Sequence, residues 1–335
     1  MQIYEISLLI NNLINRLRIT TLKLKQIKGV LMIKKYLFVL LWFTNILYSI
    51  PQYYCTASDS QYYDCLLNLI GSLHKTNFDN IKEIAVYDLG LDSGQRSRLQ
   101  RMEKVKLYAV EKVHPDILKP IKTTLNGKKV PGSYAWKPII IKQALDMFPY
   151  ILYLDAGLTV LKPLDDIFEY IQKNGYFLLN PGPEHTIADR STKRVRKEVI
   201  KKQYRQYASM LLNPDTPLVT AGLQGLSHKV YNEYVLPAYE FAKEVSLFVD
   251  DDTCPKGPGE SRHDQPLFAI LAHINGYQLF TERGYFVLNF GDTKKLLHIH
   301  HLENQINQDT VIYVSRKKGL SYKGCGHKNF IRYNK

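Results

Sequence analysis

The chain is 335 residues long, 45% hydrophobic and 12% aromatic, with a formal net charge of +14. That length allows one large domain or two small ones, and that apolar content supports a real core. Residues 1–50 carry +6 of the charge and the rest +8, a moderate excess that suits a phosphorylated ligand or an anionic surface. No zinc-finger spacing and no ribonucleoprotein-type aromatic motif is present, which makes nucleic acid the weaker reading, and no nucleic-acid partner is expected. The four cysteines, Cys55, Cys65, Cys254 and Cys325, form no C-x-x-C pair, which argues against structural zinc. In an exported chain, Cys254 with Cys325 is the disulfide to test; otherwise all four are thiols.

Met32-Ile33-Lys34-Lys35 precedes an apolar run at 36–43, the pattern of a secretory signal. The apolar segment 36–50 is short for a membrane span, which needs about 20 residues. Residues 1–50 are therefore expected to be a leader, either a signal peptide or an uncleaved anchor. The product is then exported or membrane-associated through 36–50. Translation starting at Met32 would explain the unusual prelude; N-terminal sequencing that finds a terminus upstream of Met32 rules this out.

The rest reads as alternating strands and helices. A strand at 53–57 ends at Ser58-Asp59-Ser60. Residues 62–74 place Leu66, Leu69, Ile70 and Leu73 on one helical face. A strand at 84–87 ends in Asp88, followed by a Gly90 turn. The pattern predicts a polar helix at 93–102, a strand at 105–110, a loop rich in proline and glycine up to Gly132, and a helix at 134–145 with Pro138 near its start. After a strand ending at Asp155 come a helix at 164–171, a strand at 176–180, a strand-like stretch at 219–226, a helix at 231–245, a loop at 250–259, a helix at 265–273 and a late strand at 296–301. Eight basic residues crowd 189–205, read as a solvated helix face or as a basic lid over a diphosphate. This alternation implies a doubly wound, mostly parallel α/β sheet. It forms one domain over 52–301, with 302–335 as a C-terminal extension packed on it.

The segment 150–160 is the most informative. A fully apolar run enters one carboxylate, Asp155, and an Ala156-Gly157 corner follows. A carboxylate at the end of a buried strand is costly unless something uses it. In open α/β sheets, ligands bind at that end of the strands. Asp155 therefore asks for a cation, a sugar hydroxyl or a phosphate-bound metal, or else it simply forms the turn. Asp59 and Asp88 also fall at carboxyl ends of predicted strands. The chain has no G-x-x-x-x-G-K-[ST] loop, no G-x-S-x-G elbow, no G-x-G-x-x-G after the first strand and no H-E-x-x-H.

Tyr54-Cys55-Thr56-Ala57-Ser58-Asp59 with the helix after it resembles the opening of glycogenin-like, GT-A-fold glycosyltransferases. Leu152-Tyr153-Leu154-Asp155-Ala156-Gly157 is similar to their D-x-D strand, Ala221-Gly222 to their N-S-G strand, His263-Asp264-Gln265 to their D-Q motif, and Leu296-Leu297-His298 to the late strand whose His completes the metal site. Val86-Tyr87-Asp88-Leu89-Gly90-Leu91 with Tyr134-Ala135-Trp136-Lys137-Pro138 resembles a narrower nematode and bacterial group related to these enzymes. The likeness covers 52–301.

The resemblance implies transfer of a sugar from a UDP- or GDP-sugar to a hydroxyl of a glycan or protein acceptor. In that setting Asp155 and His298, with His300 on the same strand face, would hold a divalent ion, and two imidazoles beside one carboxylate favour Mn²⁺. Asp264 and Gln265 would orient the acceptor hydroxyl or the donor sugar. Asp59 would meet the base edge or ribose, and Tyr62 or Tyr63 would stack on the base. Asp88, Trp136, Lys137, Ala221 and Gly222 would complete the donor site. Each has an ordinary alternative: helix N-caps for Asp59 and Asp264, core aromatics for Tyr62 and Tyr63, a solvated helix residue for Lys137, and a core or surface role for one His. Gly157 stands where the family has the second Asp, which weakens a hard-cation site and leaves a metal-independent enzyme open. Two further classes stay in view: a non-catalytic carbohydrate- or nucleotide-binding protein, and a basic exported protein that binds nucleic acid or anionic membrane.

Overall fold

A computed structural model describes residues 50–122, 129–281, 286–287, 310–314 and 326–334. All of them belong to one unit, Ile50–Lys335. Strand β1 (Gln52–Ser58) leads into helix α1 (Tyr63–Asn77), then β2 (Ile81–Asp88), helix α2 (Ser93–Gln100) and β3 (Val105–Ala109). A small antiparallel hairpin follows, β4 (Pro120–Lys122) with β5 (Lys129–Pro131). Helix α3 (Trp136–Met147), β6 (Tyr150–Leu154), the short β7 (Leu158–Val160), helix α4 (Asp165–Asn174) and β8 (Tyr176–Asn180) come next. The second half supplies β9 (Leu223–Ser227), helix α5 (Leu236–Ala242), helix α6 (Gln265–Ile274), β10 (Phe280–Thr281), β11 (Phe286–Val287) and β12 (Ile312–Val314).

Seven strands form one sheet in the order β10-β8-β9-β6-β1-β2-β3. All neighbours are parallel except β9, which runs antiparallel to both β6 and β8. The doubly wound, mostly parallel α/β class expected from the sequence is therefore the one observed. Strand alternation sends Tyr54, Leu152 and Leu154 into one core and Cys55, Ile151 and Tyr153 into the other. Helices α1 and α4 cover the first face; α3, α5 and α6 cover the second. From β1 the chain winds outward through β2 and β3, then crosses back to place β6 on the other side of β1. The gap between β1 and β6 is thus the topological switch point of the sheet, the place where open α/β sheets leave a crevice.

Several elements differ from their sequence expectation. The helix expected at 134–145 begins at Trp136, because Ser133 and Tyr134 take left-handed backbone with φ of 51° and 74°. The strand expected at 219–226 forms only from Leu223. The basic stretch contains a π-helical segment, Val195–Gln203, that buries Val195, Val199 and Ile200 and exposes Lys197, Lys201 and Lys202. Arg196 is structural, donating to the carbonyls of Ser191 and Thr253. Arg190 is buried against Glu260, the lysines form a solvated face, and none of the side chains of this stretch lines the cleft described below. Cys55, Cys65 and Cys254 are buried, and Cys325, the suggested disulfide partner of Cys254, lies outside the described residues. So do the leader up to Ser49, Asn126-Gly127 and the expected strand at 296–301. No helix among the described residues is long and apolar enough to cross a membrane.

Residues 326–334 pack on α1, where a Cβ at Gly71 would meet the His327 carbonyl at 1.9 Å. Three residues on, His74 is 1% exposed, and its Nδ1 accepts from the Arg332 N–H at 3.0 Å. Burial lowers the imidazole pKa from 6.5 to about 4. A folded pKa depressed in this way makes a contribution to stability that is complete above pH 6.5 and is lost as the pH falls through about 4. The loss approaches about 3 kcal/mol. Urea unfolding near neutrality and near pH 4 should show this loss in the wild type and a smaller one in His74→Gln, which keeps an acceptor but cannot charge. Equal losses in both would remove His74 from the acid sensitivity.

Candidate active site

A cleft open to solvent lies at the switch point. Ala57, Ser58 and Asp59 line it from the end of β1, Leu89 from the end of β2, and Asp155, Ala156 and Gly157 from the end of β6. Lys129, Val130 and Pro131 of β5, with Tyr62, Tyr134 and Trp136, complete the lining.

Asp155 follows the side-chain alternation of Ile151 and Tyr153, so it points toward the face covered by α3. Its backbone N–H donates to the Gly222 carbonyl at 2.8 Å, extending the β6–β9 ladder by one residue. The Tyr153 hydroxyl donates to Asp155 Oδ1 at 2.6 Å. Burial, and then the adjacent carboxylate, push that phenol well above its usual pKa, so it remains a donor.

Lys137, in the first turn of α3, completes the arrangement. Its Nζ lies 3.2 Å from Asp155 Oδ1 and 2.9 Å from Asp264 Oδ2, and it donates to the Ala221 carbonyl at 3.2 Å. The Asp264 contact is a charge contact without hydrogen-bond alignment. Side-chain exposure is 4% for Lys137, 18% for Asp155 and 7% for Asp264. One ammonium and two carboxylates leave this buried cluster with one excess negative charge. Buried ions persist only when paired, so the three side chains are mutually dependent. The Tyr134, Trp136 and Tyr153 rings surround the ammonium, with centroids 5.8, 5.8 and 5.3 Å from Nζ.

The backbone here is unusual. Ser133, Tyr134 and His263 all have positive φ without being glycine, and the Tyr134 and His263 rings meet at 5.2 Å. Non-glycine residues held this way carry strain that the surroundings must over-determine, and such positions cluster at functional sites.

The structure sorts the residues read from the sequence. It brings Asp59, Tyr62, Trp136 and Asp155 to the cleft wall, with Lys137 and Asp264 just behind it. The N-cap alternative for Asp264 fails: its side chain makes no capping bond and turns to Lys137 instead. The solvated alternative for Lys137 fails because the side chain is buried. Asp59 does cap a short helical turn, Oδ1 accepting from the Gln61 and Tyr62 N–H groups at 3.0 Å, and it lines the cleft as well. Ala221 and Gly222 act through their carbonyls, holding Lys137 and Asp155 in place.

Three expectations need correction. Asp88 does not reach the cleft; it accepts from the Gly90 and Leu91 N–H groups at 2.8 Å and pairs with Arg96 at 2.5 Å, which makes it a turn carboxylate. Tyr63 packs against the α1 core, where burial raises its phenol pKa, and does not line the cleft. Gln265 opens α6 beside Asp264 but contributes nothing to the cleft wall. Sequence reading missed Tyr153, Tyr134 and Lys129. Tyr153 was detectable, since it sits two residues before Asp155 on one strand face.

Among the described residues, no group of three or more His, Cys, Asp or Glu is placed to hold a metal ion. Asp155 Oδ1 is engaged with Tyr153 and faces Lys137, and Gly157 offers no side chain, so the described donors do not by themselves make a hard-cation site. His298 and His300 lie outside the described residues.

No protein-family model matches this chain, and no curated protein sequence does. The solved structures that it resembles include glycosyltransferases. The bifunctional glycosyltransferase WbbM in its apo form aligns with 13% identity and a TM-score of 0.47, over 81% of this chain and 47% of that one. This chain therefore spans about half the length of WbbM. An active-site mutant of LgtC aligns with 12% identity and a TM-score of 0.47, over 83% of this chain and 94% of LgtC. Core-mannan synthase A from Aspergillus fumigatus, in an Mn/GDP form, aligns with 12% identity and a TM-score of 0.44, over 66% of this chain and 69% of that one.

Proposed function

We propose that this protein is a glycosyltransferase that moves a sugar from a nucleoside-diphosphate donor to a hydroxyl acceptor. The observation that carries this reading is the Asp155–Lys137–Asp264 cluster, buried behind a cleft at the switch point of the sheet. Asp59 and Tyr62 offer the cleft a carboxylate and an aromatic ring, suited to a ribose and a base, and Trp136, Tyr134 and Asp155 offer rings and a carboxylate suited to a sugar ring. Asp155 and Asp264 accept hydrogen bonds from sugar or acceptor hydroxyls, and Lys137 fixes where both point. As the acceptor oxygen bonds to the anomeric carbon, the bond from that carbon to the diphosphate oxygen breaks, its electron pair leaves with the nucleoside diphosphate, and the hydroxyl proton passes to Asp155 or to the departing diphosphate. Kinship with the nematode and bacterial group that shares Tyr-Asp-Leu-Gly-Leu and Tyr-Ala-Trp-Lys-Pro motifs belongs to the same proposal.

A melting screen against UDP- and GDP-sugars tests it, run with and without Mn²⁺ so that the reading of Asp155, His298 and His300 as metal ligands is tested too. A ligand at 100 times its Kd adds about 2.7 kcal/mol, which raises the melting point by roughly 5 °C for a unit of this size. If no nucleotide sugar moves the melt, the proposal is wrong. A second reading, a binding protein without turnover, is favoured by Gly157 and by the internal pairing of Asp155. Binding of a nucleotide sugar with no transfer or hydrolysis product would select it.

A further inference from the structure

We propose that Lys129 is the side chain that neutralises the diphosphate of the donor. This rests on the glycosyltransferase reading above and adds a residue to it, one on the hairpin wall instead of the sheet rim.

Charge is the first reason. The described residues lining the cleft include two carboxylates, Asp59 and Asp155, and one cation, Lys129. The other nearby ammonium, Lys137, is buried and shared between Asp155 and Asp264, so that cluster repels an incoming anion. A diphosphate entering this field needs a positive charge that is not already committed to a buried pair, and Lys129 is exposed and lines the cleft. The second reason is the departure at Gly157. Gly157 offers no carboxylate two residues after Asp155, and the nearby Asp264 faces Lys137, so a positive side chain on the cleft wall is the group left to meet the diphosphate.

The third reason is that the hairpin holds Lys129 in place. Lys129 pairs across the ladder with Lys122, and Pro131 with Pro120. The strand ends at Pro131, and the N–H of the next residue, Gly132, donates to the Lys119 carbonyl at 2.9 Å. Gly132 has a φ of +50°, and a Cβ there would meet the Ile117 carbonyl at 2.2 Å, so the turn admits only glycine. The strained Ser133 and Tyr134 follow directly. The hairpin is thereby tied to the same turn that delivers Trp136 and Lys137, and Lys129 lines the same cleft as Asp155, Ala156 and Gly157.

Calorimetry on the full chain at low salt tests the assignment, with UDP and GDP compared against uridine and guanosine, in EDTA and in Mn²⁺. Lys129→Ala is expected to weaken diphosphate binding roughly tenfold, with the larger loss in EDTA, and to leave nucleoside binding unchanged. Lys129→Arg should restore most of the loss. If the wild type binds UDP or GDP and Lys129→Ala binds it equally well, the role of Lys129 is refuted while the glycosyltransferase reading stands. An equal loss toward nucleosides would also overturn it, because the effect would then not be on the phosphates. If the wild type binds neither nucleoside diphosphates nor nucleotide sugars, the underlying reading falls and this inference with it.

Discussion

Lys137→Met is expected to lower folding stability by about 3–5 kcal/mol and to abolish transfer. The wild-type cluster balances one ammonium against two carboxylates whose side chains are 18% and 7% exposed. Removing the ammonium leaves two like charges facing each other in a poorly hydrated site. Methionine fills most of the volume, so the loss comes from charge and not from a cavity. A triple variant that adds Asp155→Asn and Asp264→Asn should recover most of the stability, since the buried charges are then gone together, and should still show no transfer. Urea unfolding of the wild type, the single variant and the triple variant reads this directly. A Lys137→Met protein as stable as wild type would mean that the ammonium does not lie between the carboxylates.

The sheet was largely legible because its strands are apolar runs punctuated by carboxylates. The runs before Asp59, Asp88 and Asp155 all became strands, and the last two residues of β1 and β2, Ala57–Ser58 and Tyr87–Asp88, lie side by side in register. What the pattern could not separate was the use of each carboxylate. Asp88 meets two N–H groups and an arginine two to eight residues downstream, a local event that looks the same in sequence as a ligand site. The direction of β9 was also hidden, because Leu223-Gln224-Gly225-Leu226-Ser227 carries no signal that distinguishes a parallel from an antiparallel neighbour.

The site itself was legible as a set of residues and not as a charge network. Lys137 sits beside proline at the start of a helix, a position where lysine is ordinarily solvated. Its burial depends on Asp264, 127 positions away, and on Ala221, 84 away, and no local window contains that information. Lys129 was invisible for a different reason: one of several lysines in a proline- and glycine-rich loop, it has no periodicity to report which way it faces.

Asp155→Asn is expected to do the reverse of Lys137→Met, leaving stability within about 1 kcal/mol of wild type while cutting transfer roughly 10²–10⁴-fold. The asymmetry follows from the charge count. Removing one carboxylate turns a cluster with one excess negative charge into a balanced Lys137–Asp264 pair. The asparagine Oδ1 still accepts from the Tyr153 hydroxyl, which burial keeps protonated, and it can still face the Lys137 ammonium. The packing around β6 is therefore retained, and only the negative charge at the cleft wall is lost. That charge is what a sugar hydroxyl or a donor-bound cation would meet. Thermal melting and a product assay on the same preparation separate the possibilities. Full turnover by Asp155→Asn would dismiss Asp155 as a functional group and leave it a turn former. A collapsed melt would show that the cluster needs both carboxylates, so that its excess charge must be balanced by a cation that these three side chains do not supply.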